Sequence, residues 1–218
     1  MTSGRILSMQ SIEKYKPVPI SKRILDLFLT IPGILILSPV FFLISILVLI
    51  TNGTPIVFRQ KRPGYLEKPF WVYKFRTMTD VRDVDNNLLP DGERITRLGR
   101  FLRSSSLDEL PELFNILRGE MSWVGPRPLL MQYLERYSPE QTRRHEVLPG
   151  ITGWAQVNGR NALTWEEKFN LDVWYVDHWS FGLDIKILLI TVIKVLRREG
   201  INQPGHATAE EFMGTHDI

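Results

Sequence analysis

The chain has 218 residues, 27 Lys and Arg against 24 Asp and Glu, a formal net charge of +3 and no cysteine. That length suits one domain with a core of its own, and the lack of cysteine excludes disulfides, thiolate nucleophiles and thiolate metal sites. The mild positive balance suits an anionic surface or substrate. No long basic run interleaved with aromatics points to nucleic acid.

A polar lead-in over 1–19 carries Pro17 and Pro19. Leu27 to Ile50 then runs without a charge, LFLTIPGILILSPVFFLISILVLI. As a helix it reaches roughly 36 Å, enough to cross a hydrocarbon core of about 30 Å. It is long and no small-residue cleavage site follows, so its pattern is not that of a cleavable signal. Pro32-Gly33 and Ser38-Pro39 interrupt it. Each proline removes a donor and crowds the preceding turn, which predicts a bend, and the Ser38 hydroxyl is placed to satisfy a freed carbonyl. Lys14, Lys16, Lys22 and Arg23 precede the run, and Arg59, Lys61 and Arg62 follow it. Basic residues on both flanks give no orientation. A hairpin entering and leaving on one face explains both flanks; one kinked span is the alternative.

Thr54–Phe58 and Phe70–Phe75 are β-prone runs around the turn-rich RPGYLEKP, which predicts a β-hairpin. Asp80–Glu93 reads as a polar loop. Ile95–Arg103 reads as a basic amphipathic helix, suited to a membrane surface or to an ordinary protein surface. Leu110–Leu117 predicts a short helix ended by Gly119, and Pro139–Val147 a polar helix. PGITGWAQVNGRN reads as a glycine-rich loop, and Thr164–Tyr175 as a helix capped by Thr164. Leu183–Leu196 is apolar but short and carries Lys186 and Lys194, which predicts an interface or core helix.

The chemistry concentrates in RSSSLDELPELFNILRGEMSWVGPRP, from Arg103 to Pro128. Ser106 with Glu109 three residues on is a capping-box pattern, and Asp108 could itself be the cap. Alternatively, an aspartate can act as a nucleophile toward phosphorus, and adjacent carboxylates suit Mg²⁺. Arg127, between two prolines, is pre-positioned for phosphate oxygens or is a solvated turn residue. Lys74 and Arg76 in KFRTM serve the same anion or edge a strand, and Arg160 in VNGRN sits in a turn whose N–H groups can cradle an anion. His145, His178, His206 and His216 make no metal-ligand spacing; His145 is expected at the surface and the last two in the polar tail.

The Ser38-Pro39 break, KFRTM, RSSSLDELPELFN, GPRPLL and PGITGWAQVNGRN occur in the order of the small monotopic phosphoglycosyl transferases, the bacterial sugar transferase family, which the chain resembles over Lys22 to Gly200. GPRPLL, NGRNAL and GHATAEEFMG resemble its PglC-like branch. The resemblance implies an α+β, mainly α-helical fold. It has an N-terminal re-entrant membrane helix–break–helix hairpin bent at Ser38-Pro39, surface amphipathic helices and a small cytoplasmic catalytic domain. The corresponding divisions are a lead-in over 1–21, the hairpin over 22–51, the transferase domain over 52–200 and a tail over 201–218. It implies Asp108 as nucleophile and Mg²⁺ held by Asp108 and Glu109. Lys74, Arg76, Arg103, Arg127 and Arg160 are its implied phosphate- and uridine-binding residues, with Lys22 and Arg23 at the lipid headgroups. The implied substrates are a UDP-N-acetylamino sugar, first UDP-N,N′-diacetylbacillosamine, and undecaprenyl phosphate. The implied place is the cytoplasmic face of a bacterial inner membrane, among its lipids and without nucleic acid; a homo-oligomer is left open. The competing reading is a non-catalytic membrane scaffold of a glycan assembly complex. The long lead-in and Pro32 depart from the pattern.

Overall fold

The computed structural model describes residues 17–159, 162–197 and 211–214. Arg160, His206 and His216, most of the lead-in and most of the tail lie outside these. Helix α1 (Ile20–Asn52) leads into strands β1 (Val57–Pro63) and β2 (Pro69–Phe75). Helices α2 (Asp91–Arg94), α3 (Arg97–Ser104) and α4 (Glu112–Arg118) follow, then strand β3 (Ser122–Val124) and helix α5 (Pro139–Thr142). Strand β4 (Gly150–Thr152) and helices α6 (Trp154–Asn158), α7 (Trp165–His178) and α8 (Phe181–Arg197) complete a mixed, mostly helical fold.

Helical geometry runs through both prolines of α1, so the expected interruption at Ser38-Pro39 is not a gap in the helix. Pro39 has no N–H for the carbonyl of Leu35, and Ser38 Oγ donates to that carbonyl at 2.8 Å. Steps of four carry one side of α1 along the rest of the chain. Lys22, Asp26 and Thr30 are buried near its start, and Ile44, Val48 and Asn52 near its end. Trp123 donates its backbone N–H to Asp26 Oδ1 at 3.0 Å and its Nε1 to Thr30 Oγ1 at 2.9 Å. At the far end Asn52 Nδ2 donates to Arg76 O at 2.8 Å. The opposite side is bare: Phe28, Leu35, Ile36, Phe42 and Ile50 are 69% to 74% exposed. By length and composition α1 is apolar enough to cross a membrane.

Lys22 does not face outward as a headgroup residue, whereas Arg23 is half-buried. Lys22 is 3% exposed, and its Nζ donates to Asp184 Oδ2 at 2.7 Å, Val124 O at 2.8 Å and Tyr175 OH at 3.1 Å. A buried ammonium needs such a full set of acceptors. Arg23 donates to the carbonyls of Ile116, which Gly119 N–H also caps at 2.9 Å, and of Leu117, at 2.7 Å, among the last carbonyls of α4.

Ile34, Leu37 and Phe41 of α1 pack against Phe70 and Val72 of β2 and Leu113 and Ile116 of α4. Further along, Ile44 and Val48 pack with Phe75 and Leu102. The amphipathic prediction for α3 thus resolves into a core face, Leu98 and Leu102, and an outer face with Arg97, Arg100 and Phe101 exposed. Helix α4 ends at Gly119 in the left-handed region, φ 79°, as expected. Thr164 and Glu167 form a capping box on α7. In α8, Asp184 and Ile187 are buried while Leu189, Val192 and Ile193 are exposed.

Two expectations are corrected. PGITGWAQVNGRN is not all loop: Gly150–Thr152 pairs in parallel with β3 and Trp154–Asn158 is α6. The backbones approach so closely that a Cβ on Gly125 would lie 2.1 Å from Leu148 O, and one on Gly150 2.1 Å from Gly125 N. His145 is not at the surface. It is 6% exposed against Tyr137, and burial followed by the Arg144 charge lowers its pKa to about 3.

Candidate active site

Cross-strand partners in an antiparallel pair share a face, as do alternate residues along each strand. The register sets Phe58 opposite Lys74, Gln60 opposite Val72 and Arg62 opposite Phe70. All but Phe70 of these residues line one cavity of about 940 Å³. Alternation therefore carries the face of Phe70 and Val72 out of the core at Lys74 and presents its ammonium to the acids beyond.

Those acids follow a sharp turn. Ser106 is left-handed at φ 56°, and a 3-10 turn over Leu107–Glu109 precedes α4. Neither Ser106 nor Asp108 caps a helix: Ser106 makes no side-chain cap bond, and Pro111 occupies the residue before α4. Glu109 is used differently. Its Oε1 accepts from Lys74 Nζ at 2.7 Å and from Arg127 Nη2 at 2.5 Å. Lys74 also reaches Glu112 Oε1 at 3.2 Å. Asp108 is 8% exposed and takes no ion pair with any described residue.

The charges are distributed unequally. Burial, then the neighbouring Glu109 charge, pushes Asp108 up to about 6. Burial also acts against Glu109, but Arg127 and Lys74 together outweigh it and hold its carboxyl well below the usual range. Glu112 is pushed up to about 7, first by burial. The Glu109 charge in turn raises Arg127 above the ordinary guanidinium value. The cavity thus has a firmly ionised Glu109 and, beside it, an unpaired carboxylate at its wall.

Lys74, Arg103, Asp108, Glu109 and Arg127 all line this cavity. Arg103 is aimed by its Nε, which donates to Thr77 Oγ1 at 3.0 Å. Arg127 is steadied from below: the buried Arg144, paired with Asp172, donates to Arg127 O at 2.8 Å. Arg76 reaches the cavity, yet its guanidinium is committed elsewhere. It donates to Asn52 O and Thr54 O and pairs with Asp80, so it ties down the end of α1 instead of awaiting a phosphate. Glu112, Arg62, Tyr133, Trp165 and Glu211 were not anticipated. The third acid of LDELPE was visible in the sequence; the others reach the site only through pairing and packing.

Among the described residues no three His, Cys, Asp or Glu side chains group as a metal site. Mg²⁺ commonly takes one or two carboxylates and completes its shell with substrate phosphate and water. Both ion pairs of Glu109 run through Oε1. Its second oxygen and the unpaired Asp108 form a two-carboxylate set that fits such an ion.

A buried carboxylate among cations can meet an electrophilic phosphorus while the surrounding charge holds the phosphate oxygens. Residues 18–198 match the family model of the bacterial sugar transferases, and the chain belongs to that family. It is 57% identical over 199 residues to the uncharacterized sugar transferase EpsL of Bacillus subtilis (strain 168), covering 91% of this chain and 98% of that one. It is 40% identical over 183 residues to the UDP-glucose:undecaprenyl-phosphate glucose-1-phosphate transferase of Klebsiella pneumoniae, across 79% of this chain and 39% of that relative. The identity is 38% over 196 residues to the undecaprenyl-phosphate galactose phosphotransferase of Salmonella typhimurium, across 82% of this chain and 41% of that relative. The chain therefore spans about two fifths of the length of these two relatives.

Proposed function

We propose that this protein transfers a sugar-1-phosphate from a UDP-sugar to undecaprenyl phosphate and releases UMP. The observation that carries the reading is Asp108, buried at the wall of a cationic cavity and without an ion pair to any described residue. An Asp108 oxygen attacks the phosphorus next to the sugar, an O–P bond forms, and the bond to UMP breaks. A lipid phosphate oxygen then attacks the same phosphorus and frees the carboxylate. Arg127, Arg103 and Lys74 supply positive charge around the transferred group. Asp108 and Glu109 would hold Mg²⁺, which when bound neutralises phosphate charge.

The relatives' names support UDP-glucose and UDP-galactose as first donors to try. None of the relatives named here supports the diacetylbacillosamine expected from branch resemblance, which stays as a third donor for the panel. The bare side of α1 supports insertion in a membrane, which the reading takes to be the bacterial inner membrane with the site on its cytoplasmic face. The ties of both α1 ends to the same body, Lys22 to Asp184 and Asn52 to Arg76, support a segment that enters and leaves on that face.

The test is UMP release by detergent-solubilised protein with Mg²⁺, undecaprenyl phosphate and each donor in turn. Asp108→Asn is expected to lose activity by more than about a thousandfold. Equal release by the two proteins removes Asp108 from the chemistry, and a wild type that releases no UMP with any donor returns the scaffold reading.

A further inference from the structure

At the wall formed by Leu129, Leu130, Tyr133 and Trp165, the cavity meets a segment distant in sequence, Glu211–Gly214. Phe212 is 4% exposed and seated among aromatic rings. Its ring centroid lies 4.9 Å from Phe169, 5.6 Å from Tyr133, 5.7 Å from Trp165 and 5.8 Å from Tyr137. The backbone is pinned as well. Phe212 N–H donates to Tyr133 OH at 3.1 Å, and Arg136 donates to Phe212 O. Seating Phe212 this firmly fixes the preceding residue, Glu211, at the cavity edge.

Glu211 is held in turn. Its Oε1 accepts from Gln132 Nε2 at 2.6 Å and Arg136 Nη1 at 2.8 Å. Both bonds fall on one oxygen, and the other has no partner among the described residues, which leaves it for a ligand. We infer that Glu211 is a donor-recognition residue, whose free carboxylate oxygen accepts hydrogen bonds from hydroxyl groups of the nucleotide-sugar. The inference rests on the transferase reading. A carboxylate is repelled by the diphosphate, which the cations at Lys74, Arg103 and Arg127 attract, so Glu211 meets an uncharged part of the donor. Uracil offers one N–H flanked by two carbonyls, a poor match for a carboxylate. Hydroxyls offer donors without that penalty, and both the transferred sugar and the ribose carry them.

The experiment compares wild type, Glu211→Gln and Phe212→Ala in UMP release, with the wild type's best donor among UDP-glucose, UDP-galactose and UDP-N,N′-diacetylbacillosamine. Melting temperatures are measured alongside. Glu211 is largely solvent-facing, so its substitution leaves the fold in place. Glu211→Gln is expected to raise the donor KM about tenfold and leave the undecaprenyl phosphate KM unchanged. Phe212→Ala, which unseats the segment, shifts the donor KM in the same direction. UDP as a competitive inhibitor separates the two sources of hydroxyl. A UDP inhibition constant rising in step assigns the contact to the ribose; an unaltered one assigns it to the sugar. An unchanged donor KM in Glu211→Gln, or an equal rise for both substrates, overturns the inference. A wild type silent on every donor instead sinks the transferase reading beneath it.

Discussion

Lys74 serves two carboxylates unequally, 2.7 Å from Glu109 and 3.2 Å from Glu112. Arg127 adds a second cation to Glu109 alone. Glu112, 3% exposed, therefore titrates near 7. A carboxyl whose pKa is raised on folding keeps its proton in the folded chain after the unfolded chain has released it. Stability from this group is full below about pH 4.5 and falls as pH climbs toward 7. Glu112→Gln keeps the shape and removes the titration. Its melting temperature is expected to fall less than that of wild type between pH 5 and 7.5, the difference amounting to roughly 3 kcal/mol at most. An identical pH profile would show that Glu112 does not titrate in that window. At this scale the sequence is a partial guide. It shows which residues carry charge and leaves their partners unstated. Asp108-Glu109 reads both as a helix cap and as a catalytic pair because capping is a local pattern, whereas the contacts of Glu109 with Lys74 and Arg127 come from other elements.

Helix α1 is tied at its start by a buried ion pair linking residues 162 positions apart. Asp184 accepts from Lys22, from Tyr175 OH at 2.7 Å and from Trp179 Nε1 at 3.1 Å. Removing its charge leaves an ammonium buried without compensation, which costs about 3–5 kcal/mol. Asp184→Asn should lower the melting temperature accordingly, and Lys22→Met combined with Asp184→Leu should recover most of the loss. A mild effect of Asp184→Asn would mean that Lys22 finds water in the native state. Elements written by local rules were legible, namely the hairpin over 57–75, the Gly119 terminus and the Thr164 cap. The β3–β4 pair was not. Its strands have three residues each and carry no periodicity, and their register depends on the close approach of Gly125 and Gly150. Lys22 misled for the same reason, since beside an apolar run it has the look of a headgroup anchor.

Across the whole molecule, the apolar helix shares its cores with the elements that carry the candidate site residues. Whether the chain enters and leaves on one face is open to labelling, because the protein is naturally free of cysteine. Ser21→Cys and Lys61→Cys, both at exposed positions flanking α1 and its exit, are expected to react with a membrane-impermeant maleimide from the same side of inner-membrane vesicles. Reaction from opposite sides would make α1 a true span. The motif order indicated the family from the sequence alone, and six of the charged residues it singled out line the cavity. Its aromatic wall and Glu211 came only with the fold.

Because Ile44 and Val48 of α1 are interior residues of the core that holds Leu102 and Phe75, the helix is structural masonry whatever its bare side meets. A water-soluble version made by deleting it would open two cores and strip Asn52 from Arg76 and Arg23 from the end of α4. Solubilising this protein by engineering therefore means repainting the bare side of α1 with polar residues while keeping its inner side intact. The apolar helix and the cavity-bearing body are not separable modules here, and their sequences are constrained to change together.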